Sequence, residues 1–131
     1  MNIVITLPAN LIDAIISGEK LYEMRKVVPK FLRLKEDGFF VVEKGTDNIR
    51  CWCRVDDIFD LKMTAEMASS ISPLVSVPVE YINRYAPNEG HVKMWQIGIV
   101  KVLSGVKLKD LFNDHNPQQF AYCPLSYGES F

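Results

Sequence analysis

The sequence contains no apolar run approaching the ~20 residues that a membrane-spanning helix needs, so a soluble, cytoplasmic protein is expected. It also lacks net charge. Fifteen basic and 16 acidic side chains leave −1, so no global field draws the chain onto nucleic acid, and any such site must be a local patch. Cysteine is scarce and odd in number, 3 in all, and no signal-peptide pattern opens the chain. Cys51, Cys53 and Cys123 therefore read as free thiols in a reducing compartment. Cys51-Trp52-Cys53 has one intervening residue where a structural zinc site has two to four, and His91 and His115 lie far off. No metal is expected, and the thiols read as small buried hydrophobes. The sequence has no Walker loop, dinucleotide fingerprint, nucleophile elbow or metalloprotease helix, so no cofactor is implied. With no repeat, low-complexity tract or Ser/Gly linker, residues 1–131 read as one domain.

What is present is globular in composition: 48% hydrophobic and 24% charged over 131 residues, enough to bury a core without staples. "NIVITL" (2–7) predicts a strand. From Pro8 to Ser17 the period becomes helical, with Leu11, Ile12, Ile15 and Ile16 on one face and Gly18 as the stop. "KLYEMRKVV" (20–28) alternates like a strand ended by Pro29. "GFFVVEK" (38–44) turns at "GTDN" into "IRCWCRVDDIFDL". Short helices are expected in "TAEMASS" and "VPVEYINRYAP", a long strand at 91–103, a last helix in "KLKDLF" and a final strand in "FAYC". Strands and helices do not alternate regularly, which excludes a parallel doubly wound sheet. The expected class is α+β: a small, curved, mixed or antiparallel barrel of five or six strands with short peripheral helices.

Three stretches carry candidate chemistry. In "GEKLYEMRK", period-two alternation puts Leu21, Glu23 and Arg25 on one face and Tyr22, Met24 and Lys26 on the other. A carboxylate beside a guanidinium orients it as a fork for a phosphate or a base edge. The plainer reading is a surface ion pair worth roughly 0–1 kcal/mol, with Lys20 held by a helix dipole. In "IRCWCRV", Ile49, Cys51, Cys53 and Val55 form one stripe. Arg50, Trp52 and Arg54 form the other, suited to stacking a base between phosphate contacts, or else an outer face with solvated arginines. In the second middle helix, Tyr81, Arg84 and Tyr85 share a face, and Glu80 is the best additional carboxylate for acid–base work. Trp95, Ile97 and Ile99 alternate as core.

The spacing Gly18-x-Lys20-x-x-Glu23-x-Arg25 resembles the G-x-K-x-x-E-x-R signature of the ASCH domain family, across the end of the first helix and into the next strand. "MWQIGIVKV" and the closing "PQQFAYC" are similar to segments of bacterial and phage members. The resemblance implies a PUA-like β-barrel with the signature Lys, Glu and Arg at the mouth of a cleft. It further implies binding of single-stranded RNA, a nucleotide or a nucleoside, with a regulatory role in transcription or translation. A branch of similar proteins hydrolyses N4-acetylcytidine with Lys, Thr and Glu, and other members are connected with ribonuclease activity. Lys20 matches that lysine, Glu80 corresponds to the glutamate by rough position, and Glu23 stands at the threonine, so the hydroxyl nucleophile is missing. The site residues implied are thus Lys20, Glu23, Arg25, Arg50, Trp52 and Arg54 for a binding module, and Lys20, Glu23 and Glu80 for an enzyme.

Overall fold

β-branched and apolar alternation at the N-terminus produces strand β1 (Asn2–Leu7), which leads through Pro8 into helix α1 (Ala9–Ser17). The computed structural model describes residues 2–111 and the backbone of 112 and 120–121. Gly18 closes α1 in the left-handed region at φ 86°, a conformation that costs glycine no Cβ clash. Strand β2 (Tyr22–Arg25) follows, then β3 (Gly38–Glu43) and β4 (Asn48–Lys62). Helices α2 (Ala65–Val75) and α3 (Val79–Tyr85) lead to β5 (His91–Lys107), α4 (Leu108–Phe112) and β6 (Phe120–Ala121). Cys123 and His115 lie outside the described residues.

The strands form one mixed sheet in the order β2-β5-β4-β3-β1-β6. β1 runs parallel to β3 and β6, and the other pairs are antiparallel. The α+β class and mixed pairing agree with expectation; closure does not. Among the described strands β2 and β6 end the sheet without pairing with each other, so it is an open curved sheet. β2 has only 4 residues, and Pro29 shortly beyond it has no N–H to continue a ladder.

The main core lies on one face, where Ile3, Ile5, Leu7, Phe39, Val41, Cys51, Cys53, Val55 and Trp95 meet Leu11, Ile12 and Ile15 of α1, Ile71 and Val75 of α2 and Ile82 of α3. A smaller cluster of Val4, Val42 and Ile49 occupies the other face, with Phe40, Leu103 and Leu111 against it. Ile49 thus departs from the stripe expected for Ile49, Cys51, Cys53 and Val55. The cause is a bulge: the register slips between Val41 and Val42 on β3 and between Ile49 and Cys51 on β4, and an extra residue reverses which face follows. The stripe expected on β5 also fades, from fully buried Trp95 to Ile99 at 49% exposure. β2 accompanies β5 only as far as Gln96, so the later residues lose their neighbour on that side.

Candidate functional site

Lys20, Glu23 and Arg25 converge, and all three are buried, at 1%, 0% and 0% exposure. The turn after Gly18 is fixed by the Lys20 backbone N–H donating to Ala14 O. This sends the lysine side chain inward, a direction that alternation alone left open. Its ammonium Nζ donates to Tyr22 O at 2.9 Å and Val75 O at 2.8 Å and lies 3.1 Å from Glu23 Oε1. Lys20 therefore sits on the last carbonyl of α2, a helix that follows it by more than forty residues, and its charge complements that helix's negative end. The neighbouring Leu21 N–H donates to Leu74 O, so the loop before β2 satisfies two C-terminal carbonyls of α2.

Glu23 links the two cations. Arg25 Nε donates to Glu23 Oε2 at 2.7 Å, and Nη2 lies 2.6 Å from the same oxygen. The same-face relation of Glu23 and Arg25 expected from strand alternation is realised, in the interior instead of at the surface. Burial pushes the Lys20 ammonium below its usual range, Glu23 pulls it back, and Arg25 adds to the downward push. Cys53 lies close enough to sense both Lys20 and Glu23; its hydrogen bond with Cys51 and its burial push that thiol up, so it stays neutral. Among the described residues the group holds two cations against one carboxylate. Arg25 Nη1 is buried with no hydrogen-bond partner among the described residues, which carries a desolvation cost.

The second candidate set does not join the first. Trp52 and Lys101 are cross-strand neighbours, as are Trp52 and Phe40, on the face opposite the main core. Trp52 Nε1 donates to Asn2 Oδ1 at 3.0 Å, and the Lys101 ammonium stands 5.3 Å from the ring centroid. The indole packs on the β3 backbone: a Cβ on Gly38 would fall 2.7 Å from Trp52 Cζ2 and 2.1 Å from Cys53 O, so only glycine fits there. Arg54 pairs with Asp56 at 2.6 Å. Arg50, displaced by the bulge, turns to Glu43 at 2.6 Å and to Asp13 of α1 at 2.9 Å. The Arg50-Trp52-Arg54 stripe is thus broken at its first member, and both arginines carry carboxylate partners. A cavity of about 440 Å³ does open on this face, lined by Arg33, Asp37, Phe40, Trp52 and Lys101 among others. Asp37 anchors its rim. Burial alone raises its carboxyl, but bonds from the Arg33 guanidinium and backbone N–H outweigh this and hold it at about 2.

Glu80 is exposed in the first turn of α3. The helical period that points Ile82 and Tyr85 inward turns it to solvent, and among the described residues it contacts none of the three. Tyr81 and Tyr85 stack 6.2 Å apart at 19°, with Arg84 5.9 Å from Tyr81 and Lys26 4.7 Å from Tyr85. The shared face of Tyr81, Arg84 and Tyr85 is therefore present.

The residue that sequence reasoning passed over is Trp95. It is the cross-strand neighbour of Glu23, fully buried, and its indole N–H has no partner. An apolar alternating strand marks such a tryptophan only as core. The signal lies in its register against β2, which a sequence does not show.

No family model and no curated protein matches the chain by sequence. Solved structures do match. The chain is similar to the ASCH protein of Zymomonas mobilis at TM-score 0.71 and 15% identity, over 91% of this chain and 84% of that one. A serine-to-alanine variant of that protein superposes at TM-score 0.70 with 15% identity, over 88% and 82%. A tyrosine-to-phenylalanine variant gives 0.69 and 14%, over 91% and 86%. The fold of this chain is that of an ASCH domain.

Proposed function

We propose that this ASCH-fold chain binds RNA or a nucleotide, with Arg25 as the residue that receives the ligand and Lys20 and Glu23 as the residues that position it. The observation that supports this reading is the unpartnered Nη1 of a buried guanidinium, in a group whose cations outnumber its carboxylate. A fork held on one edge by Glu23 still has donors to offer, and phosphate oxygens or a base edge accept them bidentately. Lys20 has a different part. Its ammonium donates to two carbonyls at 2.9 and 2.8 Å and is ion-paired with Glu23 at 3.1 Å, and loss of its charge would weaken all three contacts. Its lowered pKa favours an amine nucleophile or base, whereas this full set of partners favours a fixed cation. Together with the absence of the hydroxyl at Glu23, the partners favour a binding module over an N4-acetylcytidine hydrolase or a ribonuclease.

The test is titration of a short single-stranded RNA at low and at moderate salt, followed by product analysis. Salt-sensitive binding is expected, with the RNA recovered intact. Arg25→Lys keeps the charge but loses the fork, and should weaken binding about tenfold or more. Absence of any association at low salt, for RNA and nucleotide alike, would remove the reading. RNA cleavage or deacylation of N4-acetylcytidine that Lys20→Met abolishes in a folded protein would replace it with the enzymatic one.

A further inference from the structure

Donors outnumber acceptors among the buried atoms of the candidate site that make no hydrogen bond: Arg25 Nη1, Arg25 Nη2 and Trp95 Nε1 against Glu23 Oε1. Arg25 Nη1 and Trp95 Nε1 are both buried and without hydrogen-bond partners. The Glu23 oxygens face cations: Oε1 lies 3.1 Å from Lys20 Nζ, and Oε2 takes the Arg25 guanidinium. Register brings the two donor residues together. β2 and β5 pair antiparallel with Glu23 opposite Trp95 and Arg25 opposite Lys93, so the Arg25 and Trp95 side chains leave the same face of neighbouring strands. Arg25 then folds back along its own strand, since Nε bonds Glu23 Oε2 at 2.7 Å. The guanidinium is therefore drawn towards the residue that Trp95 opposes. Phe39 packs against the Trp95 ring at 5.9 Å and limits the directions that ring can take.

We propose that Arg25 and the Trp95 indole N–H together recognise a phosphate monoester, the terminal phosphate of an oligonucleotide or of a free nucleotide. The proposal rests on the nucleotide-binding reading above and names the group that is bound. Two open donors of different residues, beside a carboxylate whose free oxygen is already faced by the Lys20 ammonium at 3.1 Å, match a group that only accepts hydrogen bonds. The Arg25 guanidinium, a charged donor, favours an anion over a neutral carbonyl. Burial selects an end group. A backbone phosphodiester carries a sugar on each side and cannot be withdrawn from solvent within a closed site, whereas a monoester enters from one side. Trp95 is then a specificity residue, and its phenylalanine replacement keeps the ring while deleting the donor.

The experiment compares ligands before it compares variants. A ten-nucleotide polyuridine is titrated with a 5′-phosphate, with a 3′-phosphate and with hydroxyls at both ends, alongside UMP, uridine and inorganic phosphate. The expected result is at least tenfold preference for a phosphorylated end over hydroxyl ends, or for UMP over uridine. The oligonucleotide and UMP arms distinguish the two sources of the monoester. Trp95→Phe should lose most of that preference while its affinity for the hydroxyl-ended strand stays within about twofold. A readout independent of the variant is the indole N–H resonance in the wild type. With only 2 tryptophans in the chain, UMP should shift the Trp95 signal and leave the Trp52 signal in place. Binding of RNA with no preference for a phosphorylated end would overturn this proposal and leave the nucleic-acid reading standing. UMP binding without oligonucleotide binding would support it and limit the ligand to free nucleotides. An unmoved Trp95 resonance at saturating UMP would also sink it.

Discussion

Two charged groups on one sheet differ in what surrounds them. Lys20, Glu23 and Arg25 are enclosed beside the main core, where the sheet meets α2. Arg50 and Arg54 are about 30% exposed, at 31% and 28%, each beside its own carboxylates. The second group resembles most surface charge: solvated, locally neutral, and worth little to stability. The first is a buried chain of alternating charge, in which each ion is compensated by the next. In sequence both are strand stretches in which charged residues alternate with apolar ones. The difference comes from what packs over them, and it is why the same residue types form an enclosed cluster in one place and a partly solvated set in the other.

The largest effect should come from deleting the bridge. Glu23→Gln leaves two buried cations without an anion between them, and by the behaviour of broken buried pairs it should destabilise the fold by roughly 3–5 kcal/mol. Denaturant unfolding at matched slope measures this. Lys20→Met comes next. It leaves the Glu23–Arg25 pair whole but uncaps Val75 O, and a loss of roughly 2 kcal/mol is expected. It should be insensitive to added salt, because the interaction is buried. A salt-dependent loss would place Lys20 at the surface and erase the contrast between the two groups.

Among the partly exposed charges the effects shrink. Arg50→Ala breaks pairs with Asp13 and Glu43, yet it should change stability by about 1 kcal/mol or less, and most of that should vanish at high salt. Asp37 supplies the pH dependence. Its carboxyl is held at about 2 against an ordinary 3.8, so its stabilisation is complete above the ordinary value. That stabilisation drains away as pH falls through the interval between the two. Asp37→Asn should flatten this part of an acid-unfolding curve and leave the neutral region's shape unchanged.

Much of the architecture was legible in the sequence because it depends on local periodicity. The α1 face of Leu11, Ile12 and Ile15, the stop at Gly18, and the shared face of Glu23 and Arg25 follow from spacing alone. The parts that were not legible depend on distant partners. Nothing near Lys20 says that its ammonium will meet Val75, 55 residues away. The bulge that swings Arg50 away from Trp52 arises from the pairing of β3 with β4, so simple alternation misassigned Ile49 and Arg50 while Cys51, Cys53 and Val55 kept their stripe. The open edge of the sheet was equally hidden, since barrel closure depends on whether two short end strands meet. Trp95 is the sharpest case: its sequence context states core, which is correct, and its orphaned N–H emerges only when β5 is laid against β2.

The central claim is that the enclosed charges recognise a nucleic-acid ligand and the outer ones do not. Its most direct test is to measure single-stranded RNA and UMP binding for Arg25→Lys and Arg54→Lys side by side, at one salt concentration, with folding verified by circular dichroism. The account predicts at least a tenfold loss for Arg25→Lys and a change within twofold for Arg54→Lys. Equal losses at the two positions, or a loss at Arg54 alone, would contradict it.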